Sequence, residues 1–314
     1  MITTGFILAA GRGERMRPLT DHTPKPLLSV RGQPLIGRVA AQMRAGGLTN
    51  LVVNTAWLAD QISGYLETTP LGMRIACSHE GRDFGGALET AGGIARAIPL
   101  MPSGTEAFWL SAGDVFVPEF KFDAAIATRF LASDALAHLW LVPNPTHHPA
   151  GDFALDGDGR LHHDRQAAGA WLTYATIGLF KTALFGPPWC DIPLGNPLGQ
   201  AAPLAPLLRR AMDDGRVTGT RYDGCGDKDA GRNFPGCDPP EAEKQAAQQA
   251  GQGQEEAGQG FHGHGEIVRV LGVSESAAAQ PMERTSAGLK PCSSSPSRSL
   301  SWSVTRSTNS TPLR

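Results

Sequence analysis

The sequence contains no long apolar stretch and no cluster of Lys and Arg. Its first apolar run, Phe6-Ile7-Leu8, is too short for a membrane span or a signal peptide, and no basic segment precedes it. The net charge of −2, with no basic face, argues against a nucleic-acid binder. The five cysteines are odd in number and irregularly spaced, as expected in a reducing compartment. These absences predict a cytoplasmic protein that binds neither nucleic acid nor a membrane.

Aromatic residues become scarce after Gly224. Within residues 225–314 only Phe234, Phe261 and Trp302 are aromatic, and the stretch is rich in Gly, Gln, Ser and Thr. Such a stretch buries too little apolar surface to offset its conformational entropy. We therefore predict a folded domain over residues 1–224 and a largely disordered tail over 225–314.

Short apolar runs alternate with helical patterns through residues 1–224. The predicted strands are 6–8, 51–53, 74–77, 107–110, 138–142 and 172–180, and the predicted helices are 34–45, 58–66, 88–98, 124–131 and 204–212. This alternation predicts an α/β fold, a Rossmann-like, mostly parallel sheet with helices on both faces. Asp156-Gly157-Asp158-Gly159 predicts a hairpin in a later lobe on the same sheet. Asn54 and Asp114 follow strands at their carboxyl ends, where such sheets bind ligands.

The segment after the first strand is the most informative in the chain. Glycines let backbone N–H groups approach an anion closely, while Arg and Lys bind phosphate oxygens. The glycine spacing differs from the P-loop and from the dinucleotide fingerprint. The segment therefore predicts a nucleoside triphosphate site made by Leu8, Ala9, Ala10, Gly11, Arg12, Gly13, Arg15 and Lys25.

Together with Pro18-Leu19-Thr20 and Pro24-Lys25-Pro26, this segment resembles the signature of the sugar-phosphate nucleotidyltransferases. Residues 1 to about 223 resemble one branch in particular, the bacterial N-acetylmuramate-1-phosphate uridylyltransferases of cell-wall (peptidoglycan) recycling. The strings that carry this second resemblance are Asn54-Thr55-Ala56-Trp57-Leu58, Glu80-Gly81, Ala87-Leu88-Glu89-Thr90-Ala91-Gly92-Gly93, Pro143-Asn144-Pro145, Gly151-Asp152-Phe153 and Leu204-Ala205-Pro206-Leu207-Leu208. Mannose-1-phosphate guanylyltransferases and glucose-1-phosphate thymidylyltransferases share much of the pattern, so the base and the sugar stay open.

The resemblance implies transfer of a nucleotidyl group from a nucleoside triphosphate, with UTP favoured, to a sugar 1-phosphate, with release of pyrophosphate. It implies three catalytic residues. Arg15, with the amides of residues 11–13, would hold the β- and γ-phosphates, and Lys25 would bridge the α-phosphate and the sugar phosphate. Asp114 would ligate Mg²⁺, a cation that prefers carboxylate and phosphate oxygens.

The resemblance also implies two sets of pocket residues: Glu89, Gly92 and Gly93 for the nucleotide, and Asn54, Asn144 and Gly151 for the sugar. The residues alone also allow helix caps and turns at these positions and at Asp114. Trp57 is expected in the core. The sequence leaves open whether the protein is a monomer or a homodimer.

The chain departs from the family just after Tyr222. There the family has a second metal-binding Asp in a Trp-x-Asp-Val-Gly-Thr string, whereas this chain reads Asp223-Gly224-Cys225-Gly226-Asp227-Lys228. If the codons from Gly224 onward are GGA, TGT, GGG, GAC and AAR, reading from the second base gives Asp-Val-Gly-Thr. We therefore hypothesise that residues after about 223 are translated out of frame. The alternatives are a natural low-complexity extension and a nucleotide-binding protein impaired in catalysis.

Overall fold

A single twisted sheet organises the part of the chain that the computed structural model describes, which is residues 1–30, 32–146 and 148–223. The strands of this sheet are β1 (Thr4–Ala9), β4 (Asn50–Thr55), β5 (Arg74–His79), β6 (Ala107–Ala112), β7 (Ala137–Val142), β8 (Phe153–Leu155), β9 (Leu161–His162), β10 (Ala170–Lys181) and β11 (Val217–Arg221). Seven of them follow each other in the order β11-β7-β10-β6-β1-β4-β5, and β8 and β9 extend the sheet from β10. A separate two-stranded ribbon joins β2 (Ser29–Val30) to β3 (Gln33–Pro34).

The prediction of a mostly parallel sheet is confirmed. Strands β1, β4, β5, β6, β7 and β11 run in one direction, while β10 runs antiparallel between β6 and β7. The predicted hairpin is also present, because β8 pairs antiparallel with β9. Its turn is held by the Asp156 side chain, which accepts hydrogen bonds from the amides of Asp158 and Arg160, both at 2.9 Å.

Helices cover both faces of the sheet. They are α1 (Leu35–Ala45), α2 (Ala59–Thr68), α3 (Glu80–Phe84), α4 (Glu89–Ala97), α5 (Ala124–Ala132) and α6 (Ala205–Asp213). Side chains alternate between the two faces along each strand, so in β6 Trp109 packs with α1, α2 and α5 while Phe108 and Leu110 pack with α4 and α6. The described part contains no helix long and apolar enough to cross a membrane.

Local sequence sets the helix ends. Pro34 precedes the first turn of α1, and Gly46 follows its last residue. Asp123 caps α5, because its side chain accepts hydrogen bonds from the amides of Ala125 and Ile126 at 2.6 and 3.0 Å. The predicted tail, and the domain boundary that defines it, lie outside the described residues.

Candidate active site

Gly13 shapes the glycine loop (residues 10–13), which follows β1. Its φ of 67° is left-handed, and its carbonyl accepts a hydrogen bond from Thr20 Oγ1 at 2.9 Å. A Cβ at position 13 would lie 3.0 Å from Thr20 Cγ2 and 3.2 Å from Lys25 Cβ. Glycine therefore serves both the backbone conformation and the close approach of Lys25.

Lys25 and Asp114 form an ion pair beside this loop. Lys25 is 3% exposed, and its Nζ donates a hydrogen bond to Asp114 Oδ2. Asp114 reaches this place because the preceding residue, Gly113, joins the end of β1 through a 2.8 Å hydrogen bond from its amide to the Leu8 carbonyl. The carboxyl ends of β1 and β6 thus bring together a buried cation and a carboxylate that are distant in sequence.

Two arginines in and just after the glycine loop remain at the surface. Arg15 is exposed and has no hydrogen bond or ion pair within the described residues. The guanidinium carbon of Arg12 lies 4.3 Å from the ring centre of Trp57, and the Trp57 indole N–H donates to the Thr20 carbonyl at 2.9 Å. The prediction that Trp57 lies in the core is wrong. Its ring is only partly buried, because it faces a cation and its N–H bonds to a loop carbonyl.

A fully buried carboxylate, Glu80, lies behind the loop. Its Oε1 accepts a hydrogen bond from Asn54 Nδ2, and its Oε2 accepts one from the Leu88 amide, both at 2.7 Å. Burial raises the pKa of Glu80, and the hydrogen bonds from Leu88 and Asn54 oppose that rise. Sequence reasoning assigned no role to Glu80. The available signal was its position directly after β5, at the same sheet edge as Asn54 and Asp114.

Asn54 has protein partners on both ends of its side-chain amide. Its Oδ1 accepts a hydrogen bond from the Ala9 amide at 2.9 Å, and its Nδ2 donates to Glu80. The side chain is buried, since the residue is 2% exposed. The structure therefore places Asn54 behind the glycine loop, as a support rather than at a surface open to a sugar.

The three residues expected to line the nucleotide pocket lie on α4. Glu89 begins the helix, is exposed, and has the unusual φ of 55°. A Cβ at Gly92 would lie 2.4 Å from the Gln200 carbonyl oxygen, and one at Gly93 would lie 2.5 Å from Glu80 Oε1. Both glycines are therefore sites of close packing.

Asn144 and Gly151 shape the loop after β7. Asn144 Nδ2 donates to the carbonyls of Pro149 and Trp171 at 3.0 Å, and its Oδ1 accepts from Thr173 Oγ1 at 2.9 Å. Gly151 has a φ of 64°, and a Cβ there would lie 2.8 Å from Asn144 Oδ1. These contacts fix the loop from within.

Asp114 suits a divalent cation. Its side chain is 20% exposed, so it is not fully enclosed by the protein. The described residues contain no group of three or more His, Cys, Asp or Glu side chains that could hold an ion. Mg²⁺ is commonly bound by one or two carboxylates together with substrate phosphates and water, and Asp114 fits that pattern. The position at which the resemblance implies a second metal-binding Asp lies outside the described residues.

Comparison with known proteins shows the family of the chain. Residues 4–151 match the family model described as nucleotidyl transferase. The N-acetylmuramate alpha-1-phosphate uridylyltransferase of Neisseria meningitidis serogroup B is 44% identical over 221 residues, which are 70% of this chain and 89% of that protein. The protein of the same name from Caulobacter vibrioides is 32% identical over 235 residues, with 70% and 88% covered.

Solved structures show the same fold. An inositol-1-phosphate CTP transferase from T. maritima superposes with a TM-score of 0.51 at 17% identity, over 70% of this chain and 85% of that one. A UDP-glucose pyrophosphorylase complexed with UDP-glucose superposes with a TM-score of 0.54 at 14% identity, over 72% and 92%. The family model and the two uridylyltransferases show that the chain belongs to the nucleotidyl transferase family.

Proposed function

We propose that the chain transfers the uridylyl group of UTP to N-acetylmuramate 1-phosphate and releases pyrophosphate, as a step of peptidoglycan recycling. The observation that carries this proposal is the Lys25–Asp114 pair beside a glycine loop with an exposed Arg15 that has no ion pair among the described residues. The 44% identity to the neisserial uridylyltransferase supports the choice of base and sugar. The irregular cysteines favour the cytoplasm as its compartment.

The proposed chemistry is a direct displacement. A phosphate oxygen of the sugar 1-phosphate attacks the α-phosphorus of UTP, the bond from that phosphorus to the oxygen bridging to the β-phosphorus breaks, and pyrophosphate leaves. No covalent intermediate with the protein is needed, so positioning and charge neutralisation supply the catalysis. Lys25 neutralises the α-phosphate and the incoming phosphate, while Arg15 and the glycine-loop amides hold the leaving group. Mg²⁺ held by Asp114 would add positive charge at the phosphates.

The remaining site residues support this chemistry in three ways. Glu89, Gly92 and Gly93 are proposed to border the nucleotide base, since α4 begins beside the glycine loop's supports Asn54 and Glu80. Asn144 and Gly151 are proposed to form the sugar side by fixing the loop after β7. Asn54 contributes from behind the glycine loop.

A second candidate is a nucleotide-binding protein with little turnover. It is favoured by the small number of metal ligands. Among the described residues, Asp114 does not belong to a group of three or more His, Cys, Asp or Glu side chains that could hold an ion. Such a protein would keep the glycine loop and Lys25 and would bind UTP without releasing pyrophosphate.

Pyrophosphate release separates these candidates. The full chain is assayed with Mg²⁺ and each pairing of UTP, GTP or dTTP with N-acetylmuramate 1-phosphate, mannose 1-phosphate or glucose 1-phosphate. We expect the highest kcat/KM for UTP with N-acetylmuramate 1-phosphate. A preference for GTP with mannose 1-phosphate, or dTTP with glucose 1-phosphate, would move the assignment within the family. UTP binding in calorimetry without pyrophosphate release from any pairing would establish the second candidate.

A further inference from the structure

The carboxylate of Glu80 links two parts of the nucleotide site through backbone amides. On one side it accepts from Asn54 Nδ2 at 2.7 Å, and Asn54 Oδ1 in turn accepts from the amide of Ala9 at 2.9 Å. On the other side it accepts from the amide of Leu88 at 2.7 Å. Ala9 is the last residue of β1, directly before the glycine loop, and Leu88 directly precedes α4. Three hydrogen bonds therefore connect the glycine loop to the start of α4.

The Glu80 and Asn54 side chains of this linkage are closely packed against α4. A Cβ at Gly93 would lie 2.5 Å from Glu80 Oε1 and 2.9 Å from Asn54 Nδ2, so the helix itself closes the space around the carboxylate. Leu88 is fixed from the far side as well, because its carbonyl accepts a hydrogen bond from the Ala202 amide at 3.0 Å. A shift of the Glu80 carboxylate would therefore move both amides.

The linkage also explains why a charged residue is buried here. Burying a carboxylate is costly unless hydrogen bonds compensate, and an apolar residue would fill the same space at lower cost. Both neighbours of Glu80 are donors, Asn54 Nδ2 and the Leu88 N–H, and a carboxylate offers an acceptor to each. An acceptor-only side chain is what this position requires.

We propose that Glu80 is a positioning residue for nucleotide binding, which holds the glycine loop and the start of α4 at the separation a nucleoside triphosphate spans. This inference rests on the proposed function, since it assigns the triphosphate to the glycine loop and the base to α4. Glu80 acts through the amides of Ala9 and Leu88 and does not itself contact the ligand.

Reversing the polarity of the Asn54–Glu80 hydrogen bond tests this assignment. In Glu80→Gln, the side-chain NH₂ that replaces one carboxylate oxygen must face a donor, either Asn54 Nδ2 or the Leu88 amide. In Asn54→Asp, two carboxylates face each other. In the double variant, the introduced glutamine donates to the introduced aspartate. That aspartate still accepts from the Ala9 amide, and the glutamine oxygen still accepts from the Leu88 amide. The double variant thus keeps the net charge and both outer contacts of the original pair.

The readout is the Kd for UTP without sugar phosphate, measured by calorimetry well below the melting temperature of each variant. We expect each single variant to bind UTP about tenfold or more weakly, because a buried group loses its hydrogen bond. The double variant should bind UTP with a Kd within about threefold of wild type, because its hydrogen bonds to the Ala9 and Leu88 amides are restored. Glu67→Gln, the same change on the exposed face of α2, should bind like wild type.

Three results would overturn the inference. Single variants that melt earlier but bind UTP with wild-type affinity would show that Glu80 is merely structural and overturn the inference alone. A double variant whose loss is the sum of the two single losses would overturn it as well. A wild-type chain that binds no nucleoside triphosphate would overturn the proposed function and this inference with it.

Discussion

Asp114 accepts a hydrogen bond from Lys25 although the two residues lie 89 positions apart in the chain. Lys25 is nearly inaccessible, whereas the Asp114 side chain keeps a fifth of its surface exposed. A cation bound by Asp114 would therefore compete with the Lys25 ammonium for the same carboxylate. In the proposed reaction, the arriving phosphates offer Lys25 a new partner and so free Asp114 for the metal.

Lys25→Met should abolish most of the activity. The variant keeps a long side chain but loses the charge that neutralises the phosphates, so we expect kcat/KM for pyrophosphate release to fall by about 10²–10³-fold. Lys121→Met, at an exposed position, is the matched control and should keep the wild-type rate. Lys25→Arg should restore little, because a planar guanidinium does not fit the place of a buried ammonium. Wild-type kinetics in Lys25→Met would contradict the role given to this residue.

Competition for Asp114 predicts an effect on metal affinity without any substrate. Mn²⁺ can replace Mg²⁺ as a spectroscopic probe, and electron paramagnetic resonance measures the free ion. We expect Lys25→Met to bind Mn²⁺ about tenfold more tightly than wild type, because the carboxylate loses its competing partner. Asp114→Asn should remove that binding, whereas Asp60→Asn, an exposed position on α2, should leave it intact. Equal Mn²⁺ affinity in wild type and Lys25→Met would show that the pair does not restrain the metal site.

Gly93→Ala should destabilise the protein by about 1–3 kcal/mol, since the added Cβ would meet Glu80 Oε1 and Asn54 Nδ2 in a packed environment. Gly64→Ala is the matched control within a helix. A Cβ at Gly64 would meet nothing within 4 Å, so higher helix propensity should stabilise the protein by up to about 1 kcal/mol. Urea denaturation followed by circular dichroism measures both changes. A stabilised Gly93→Ala variant would contradict the close packing around Glu80.

Most of the sheet could be predicted because its signals are local. The apolar runs that mark β1, β4 and β6 stand between helical patterns, and Pro34 and Gly46 mark both ends of α1. The position of β10 could not be predicted, since its antiparallel place between β6 and β7 depends on contacts far along the chain. Strand β11 was missed because Val-Thr-Gly-Thr-Arg carries one large apolar side chain and a glycine.

The site residues also include some that could be predicted from the sequence and some that could not. Lys25 and Asp114 are recognisable from a glycine-rich motif and from a carboxylate after a buried strand. The partners of Asn54 and the burial of Glu80 are not recognisable, because a Glu before Gly81 resembles any exposed acidic residue in sequence. Its environment is created by Leu88 and Gly93, which reach it only once α4 has packed against the sheet.

His138 predicts a loss of stability in acid. Its ring nitrogens lie 2.9 and 3.1 Å from the hydroxyls of Thr218 and Thr220 on β11, and burial, aided by the charge of Arg129, lowers its pKa from 6.5 to about 4. Between pH 4 and 6.5, His138 therefore binds a proton in the unfolded chain but not in the folded chain. The resulting stability is complete above pH 6.5 and is lost as the pH falls toward 4, by about 3 kcal/mol in total.

His138→Gln should remove that part of the pH dependence. The free energy of unfolding of wild type and variant is measured by urea denaturation at intervals from pH 4 to 8, and the difference between them is plotted. We expect this difference to grow in favour of wild type as the pH rises from 4 to 6.5 and to stay constant above it. A difference that stays constant from pH 4 to 8 would show that the pKa of His138 is the same in the folded and the unfolded chain.

The reading frame after Asp223 decides whether the proposed catalyst is complete. Sequencing the gene across codons 215–235 should reveal a single-base slip that restores Asp-Val-Gly-Thr in frame. The chain expressed from the corrected gene would gain the second metal-binding carboxylate that the resemblance implies. We expect it to release pyrophosphate at least about 10²-fold faster than the present chain, the usual loss for a missing charge-stabilising group. If sequencing finds no slip, the frameshift hypothesis is rejected. We then expect the chain to bind UTP without turnover, because it lacks the second carboxylate.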